Sequence, residues 1–262
     1  MNDFIEREVS EVREDLQRIK DFFQKQDFHE RALRMTLVEY RHMPESAIKD
    51  SDAFFVPDKD EFPIVNYPKW MYADDLKFMN RNKECRFAGR LVFPVKSVKA
   101  EVIGFVGWSA FESPKYLDSA NVGYKAGSST FFGMENLPEY YVSNRPIFIP
   151  EGLMCTLYLR ANSFQSMSSL GSNLSKYQVE ILKRFKDRCV VVIDNDAAGK
   201  DWAQRVKWQL PKASIVCVTH GKDIDGCRKE NENVYEDILL SDLHKFESGN
   251  PFQRYSEIIK IR

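Results

Sequence analysis

The 262-residue chain has no apolar run approaching the roughly 18 to 20 residues that cross a bilayer. Its first residues are dense in Glu, Arg and Asp where a secretory signal would be apolar. A membrane anchor and an export signal are therefore not expected, and the sequence reads as cytoplasmic with no membrane partner. Glycine (12) and proline (11) are too sparse for a collagen-like or low-complexity chain. The five cysteines, Cys85, Cys155, Cys189, Cys217 and Cys227, are odd in number and form no C-x-x-C pair, so neither a disulfide framework nor a zinc ribbon is encoded. His29, His42, His220 and His244 also lack metal-ligand spacing. No excess of one charge exists, because 38 basic residues meet 39 acidic ones. That balance excludes a uniformly basic nucleic-acid coat and an acidic disordered tail. What is present, 43% hydrophobic and 13% aromatic residues, describes a folded chain long enough for one large domain or two small ones.

Ile5, Val9, Val12, Leu16, Ile19 and Phe23 recur at alternating steps of four and three, which aligns an apolar stripe along one helix. The stripe is short for an independent coiled coil, so it predicts a helix packed on its own chain, with dimerisation or partner docking as the alternative. The neutral total conceals a dipole: residues 44–75 hold eight acidic and three basic side chains, whereas residues 76–127 hold nine basic and four acidic. The basic window contains two short apolar alternations, at 91–95 and 102–107, that predict strands of a small antiparallel sheet. Lysines beside aromatic rings on such a sheet suit single-stranded nucleic acid, the alternative being a solvated face.

After Arg145 the pattern changes. Residues 146–150 (PIFIP), 189–193 (CVVVI) and 213–219 (ASIVCVT) are continuous, β-branched runs typical of parallel strands buried on both faces. Helical periodicity occupies 174–185 and 198–210 between them. The second half is thus an open α/β sheet, and the chain as a whole is α+β. Each strand runs into acid: Glu151-Gly152 after the first, Asp194-Asn195-Asp196-Ala197-Ala198-Gly199 after the second, and Asp223-Ile224-Asp225 after the third. Ligands of open α/β sheets sit at the carboxyl ends of strands, so these clusters are expected to converge on one crevice. Five carboxylates there call for a hard divalent cation such as Mg²⁺ or Mn²⁺, two ions or more for phosphoryl chemistry. Taken alone, Asp194-x-Asp196 also reads as a turn and helix cap. An EF-hand is excluded, because Ala198 and Arg205 fall where oxygen ligands are required.

In this order the motifs resemble the Toprim domain of topoisomerases, bacterial-type primases and some nucleases. The flanking residues narrow the likeness. Gly89-Arg90-Leu91-Val92-Phe93-Pro94-Val95, Val102-Ile103-Gly104-Phe105-Val106-Gly107, Pro114-Lys115-Tyr116-Leu117-Asp118-Ser119, Tyr124-Lys125-Ala126-Gly127 and Phe131-Phe132-Gly133 are similar in order and spacing to the basic subdomain of DnaG-like primases. Upstream, Tyr40-Arg41-His42-Met43-Pro44-Glu45 resembles the start of that family's polymerase core.

The resemblance implies a Toprim-type parallel sheet preceded by a small mixed basic subdomain and an N-terminal helix. Its parts would be a helix over 1–30, the basic subdomain over 31–145, the Toprim part over 146–240 and a short extension over 241–262. It implies template-directed synthesis of RNA primers on single-stranded DNA from NTPs. Glu151, Asp194 and Asp196 would be catalytic, and with Asp223 and Asp225 would hold the metal ions. Glu151 would also assist deprotonation of the attacking 3′-hydroxyl. Arg90, Lys115 and Lys125 would meet template or nucleotide phosphates. A Toprim nuclease, and a decayed relative that only binds DNA or a partner, are the alternatives. Three departures from the family pattern stand out: Cys155 replaces an acid, Trp108 a basic residue and Asp118 an asparagine. No zinc-binding module is expected, nor room for a helicase-binding domain, which suggests a stripped core of phage or mobile-element type. A replicative helicase or other replication protein is then an expected partner, with the 5–23 helix as its candidate contact.

Overall fold

The computed structural model describes residues 8–63, 66–119, 130–171, 173–185, 188–218, 223–224 and 243–245. The chain forms two compact units, Met1–Tyr40 with Ile48–Ala126, and Arg41–Ala47 with Gly127–Arg262. The division thus falls earlier than residue 145, because Phe131, Met134, Leu137 and Tyr140 are buried in the core of the second unit.

The first unit opens with α1 (Val9–Gln24), α2 (His29–Leu33) and a π-helical stretch over Arg34–Tyr40. Helix α3 (Ser46–Ser51) crosses the division in sequence. Four antiparallel strands follow in spatial order: β1 (Phe54–Val56), β2 (Arg90–Lys96), β3 (Val102–Trp108) and β4 (Tyr116–Asp118). The apolar stripe of α1 behaves as its spacing predicts. Val12, Leu16, Ile19 and Phe23 are buried in the core of the same unit. This corrects the expectation of α1 as a partner contact through that stripe, whose apolar face is already used. Phe23 stacks on Phe54 with ring centroids 5.4 Å apart, and Phe54 meets Phe105 edge-on at 5.3 Å, so rings fill this core.

One polar knot ties helix to sheet. Asp52 adopts the left-handed conformation (φ 48°), and its carboxylate accepts from Lys20 Nζ and Lys96 Nζ, each at 2.7 Å. Gln24 Nε2 donates to the same carboxylate at 3.1 Å. Burial pushes the Asp52 carboxyl up, yet the bonds from Lys20, Lys96 and Gln24 outweigh it and hold the group below its ordinary value.

The sheet was expected to offer a basic face. Instead β2 is buried up to Lys96, and β3 is buried throughout. Lys96 is spent on Asp52, while Lys77, Arg81, Lys83, Lys99 and Lys115 lie exposed in loops. Among the described residues of the basic window, exposed positive charge therefore belongs to connections and not to the sheet face.

The second unit is an α/β layer. Its strands are β5 (Ile147–Pro150), β6 (Gln165–Ser166), β7 (Cys189–Ile193), β8 (Ser214–Val218) and β9 (Leu243–Lys245), in spatial order β6-β5-β7-β8-β9. All pairings are parallel except β8 with β9. The helices are α4 (Leu137–Val142), α5 (Leu153–Ala161), α6 (Lys176–Lys183) and α7 (Ala197–Gln209). A capping box starts α6: the Ser175 hydroxyl accepts from Gln178 N, and Gln178 Oε1 accepts from Ser175 N. The predicted α/β architecture and its three apolar strands are observed. Helix α5 was not read from the sequence, because residues 153–159 are buried without a break and show no amphipathic period. Within the region expected as a terminal extension, β9 joins the sheet.

Candidate active site

Register places the acidic candidates. Pro150, the last residue of β5, pairs with Val192 on β7, so Glu151 comes level with Ile193 and Asp194 follows at the next position. On the other side Ile193 pairs with Cys217 of β8. Glu151 and Asp194 thus leave neighbouring parallel strands at their carboxyl ends, where the right-handed α/β layer leaves room for a ligand.

The turn after β7 explains the D-x-D-x-x-G spacing. A Cβ on Gly199 would lie 2.2 Å from the carbonyl oxygen of Asp194, a distance no side chain tolerates, so only glycine permits helix α7 to start this close behind the strand. Asp196 is the N-cap of α7, and its Oδ1 accepts from Gly199 N at 2.8 Å. The capping role that the motif allowed is therefore real, and it orients one carboxylate oxygen. Asp194, Asp196 and Glu151 are all half-buried.

Two thiols flank these carboxylates. Cys155 lies buried in the first turn of α5, one helical turn after Glu151. Cys217 is near enough to the acidic turn to feel it: burial pushes its thiol up, Lys200 opposes the rise, and Asp194 and Asp196 add to it. Cys217 was not singled out in the sequence, although its place at the end of an apolar strand beside the D-x-D turn was the available signal. All four cysteines among the described residues are unbridged.

Of the five carboxylates expected at the crevice, four lie among the described residues. Asp223 is half-buried beside the buried Ile224, and Asp225 lies outside the described residues. Among the described residues no three His, Cys, Asp or Glu side chains come together closely enough to hold a metal ion. The donor set is nevertheless of the right kind, since Glu151, Asp194, Asp196 and Asp223 offer only hard carboxylate oxygens.

In the first unit Arg90 differs from its predicted role as a phosphate contact. It is 4% exposed, and its Nη1 donates to the carbonyls of Pro114 (2.9 Å) and Lys115 (3.4 Å). It holds the β3–β4 connection in place instead of reaching outward. Lys115, on that connection, is exposed, its Nζ 5.8 Å from the centre of the Tyr116 ring. Lys125 lies outside the described residues. Trp108 is buried and pairs across the sheet with Tyr116. Burial pushes the Asp118 carboxyl up. Among the described residues no helix is long and apolar enough to cross a membrane.

Comparison with known proteins matches this arrangement. A Toprim-like family model covers residues 148–227. The DNA primase of Clostridium acetobutylicum is 32% identical over 152 residues, covering 56% of this chain and 25% of that protein. A solved DnaG catalytic core superposes with a TM-score of 0.72 at 19% identity, over 97% of this chain and 84% of that one. A DnaG primase catalytic domain bound to single-stranded DNA superposes with a TM-score of 0.67 at 19% identity, over 85% of this chain and 77% of that one. The chain spans about a quarter of the length of the first curated relatives it matches. Residues 148–227 of the second unit are Toprim-like, and a Toprim domain implies binding of a divalent metal, Mg²⁺. With the antiparallel unit before it, the chain has the fold of a DnaG-type DNA primase catalytic core.

Proposed function

We propose that this chain makes short RNA primers on a single-stranded DNA template, joining NTPs by metal-dependent nucleotidyl transfer. The observation that carries this reading is the likeness to the DnaG catalytic core over 97% of the chain, which takes in both units. A Toprim nuclease reading accounts for the carboxylates and leaves the first unit without a task.

In this reading Glu151, Asp194 and Asp196, with Asp223 and Asp225, hold two or more Mg²⁺ or Mn²⁺ ions. Bound there, the ions would neutralise the acidic cluster and lower the pKa of the attacking hydroxyl. Glu151 accepts the proton of the primer 3′-hydroxyl. Asp196 has one oxygen oriented by Gly199 N, so its second oxygen is held in a defined direction. Cys155 contributes no charge, which leaves the site one acid poorer than the family pattern. Lys115 and Lys125 meet phosphates, while Arg90 fixes the loop that carries Lys115. The cysteines are scattered singly in sequence, so the reading includes no zinc. Its partners are the template, NTPs and a replicative helicase or other replication protein.

The test is incubation with single-stranded DNA, NTPs and Mg²⁺ or Mn²⁺, followed by denaturing gel electrophoresis. Short RNA that depends on the metal supports the proposal. Cleavage of the DNA without synthesis would establish the nuclease, and binding with neither would establish a decayed site, for which the buried Cys155 is the specific argument.

A further inference from the structure

The connection between β3 and β4 presents aromatic rings to solvent. Phe111 at its tip is 90% exposed, Tyr40 is 48% exposed and Tyr116 is 37% exposed. Tyr40 packs between its neighbours, 6.3 Å from Phe111 and 6.4 Å from Trp108, ring centre to ring centre. Trp108 is only 3% exposed and sits directly across the ladder from Tyr116, which puts these two rings on one face of the sheet.

The connection is built and not slack. The buried Ser109 hydroxyl accepts from Phe111 N (3.2 Å) and Glu112 N (3.1 Å), and Arg90 Nη1 donates to the carbonyl of Pro114 (2.9 Å). Leaving a phenylalanine ring almost wholly in water, on a connection fixed by these three hydrogen bonds, has no explanation in the packing of this unit.

Resting on the primase reading above, we infer that Phe111 and Tyr40 form a base-stacking platform for the single-stranded template. Trp108 is the floor: buried beneath Tyr40, it cannot reach a phosphate, but it supports the ring that meets the base. Lys115, exposed on the same connection with its ammonium 5.8 Å from the Tyr116 ring, supplies a cation for the phosphate beside a stacked base. Glu112, also exposed there, offsets that charge, so affinity gained at this face comes from stacking and responds little to salt.

The experiment uses the full chain and fluorescein-labelled single-stranded oligonucleotides, with and without abasic sites, titrated over a range of salt. Phe111→Ala is expected to weaken binding of the intact strand about five- to a hundredfold. The slope of log affinity against log salt stays unchanged, and Phe111→Tyr restores binding. Abasic substitution within the contacted stretch is expected to weaken the wild type and to leave Phe111→Ala nearly indifferent. Tyr40→Ala should follow Phe111→Ala, and Lys115→Ala should instead lower the slope. Wild-type affinity in Phe111→Ala, or a loss expressed as a changed salt slope, overturns the platform while leaving the primase reading intact. Failure of the wild type to bind any single strand overturns both.

Discussion

The two units of this protein use opposite solutions to burying a sheet. The first stacks rings: Phe54, Phe78, Phe87 and Phe105 share a core with Phe23 of one amphipathic helix, and a half-buried aspartate locks helix to strands. The second uses aliphatic β-branched strands covered on both faces, with its polar chemistry pushed to the strand ends. Parallel strands end together, so a layer of this kind gathers acids for free at one edge. Antiparallel strands bring alternate ends together, and there the connections become the functional surface. The lesson is that basic residues counted in a window do not form a patch until their places are known: Arg90 and Lys96 are both consumed internally.

Substitutions can sharpen that contrast. The largest effect belongs to Asp194→Asn, which is expected to reduce primer synthesis at least about 100-fold while single-strand affinity persists. Gel assays and titrations on the same preparation check it, and parallel loss of both would merge the two surfaces into one. Gly199→Ala comes next. Its Cβ would strike the Asp194 carbonyl at 2.2 Å, so about 1 to 3 kcal/mol of stability and most synthesis should be lost together, as urea unfolding and the gel assay would report.

In the first unit Asp52→Ala strands two ammonium groups and is expected to cost about 2 kcal/mol. Asp52→Asn keeps the left-handed backbone conformation and isolates the charge. Because the folded carboxyl titrates below its ordinary value of 3.8, its contribution is present above that pH and is lost as pH falls further. Acid unfolding followed by circular dichroism should therefore be steeper in wild type than in Asp52→Asn. A smaller effect separates cap from chemistry: Asp196→Ala loses about 1 kcal/mol, whereas Asp196→Asn keeps the cap and loses only synthesis. Smallest is Lys115→Ala, whose salt slope for single-stranded DNA should fall by about 0.7. An unchanged slope removes it from the phosphate track.

Much of the second unit was legible because each of its signals was local. Uninterrupted β-branched runs mark strands buried on both faces, and the glycine three residues after Asp196 is demanded by the turn that the structure contains. The first unit was harder to read. Strand β1 spans three residues, Phe54–Val56, and a run so short carries no period to detect. Arg90 looks like a phosphate ligand in sequence because nothing local reveals the two carbonyls, 24 and 25 residues away, that claim its Nη1. The apolar stripe of α1 announced its helix but not its partner, since the same spacing serves a self-packed helix and a docking one.

The short β9 strand carries a further consequence for handling this molecule. It pairs antiparallel with β8 through three residues, Leu243–Lys245, and so caps a row of backbone amides and carbonyls that would otherwise line an open sheet border. Trimming the chain ahead of residue 243 would uncover that border, and the shortened protein would be expected to self-associate through strand exchange even with every acidic residue of the site retained.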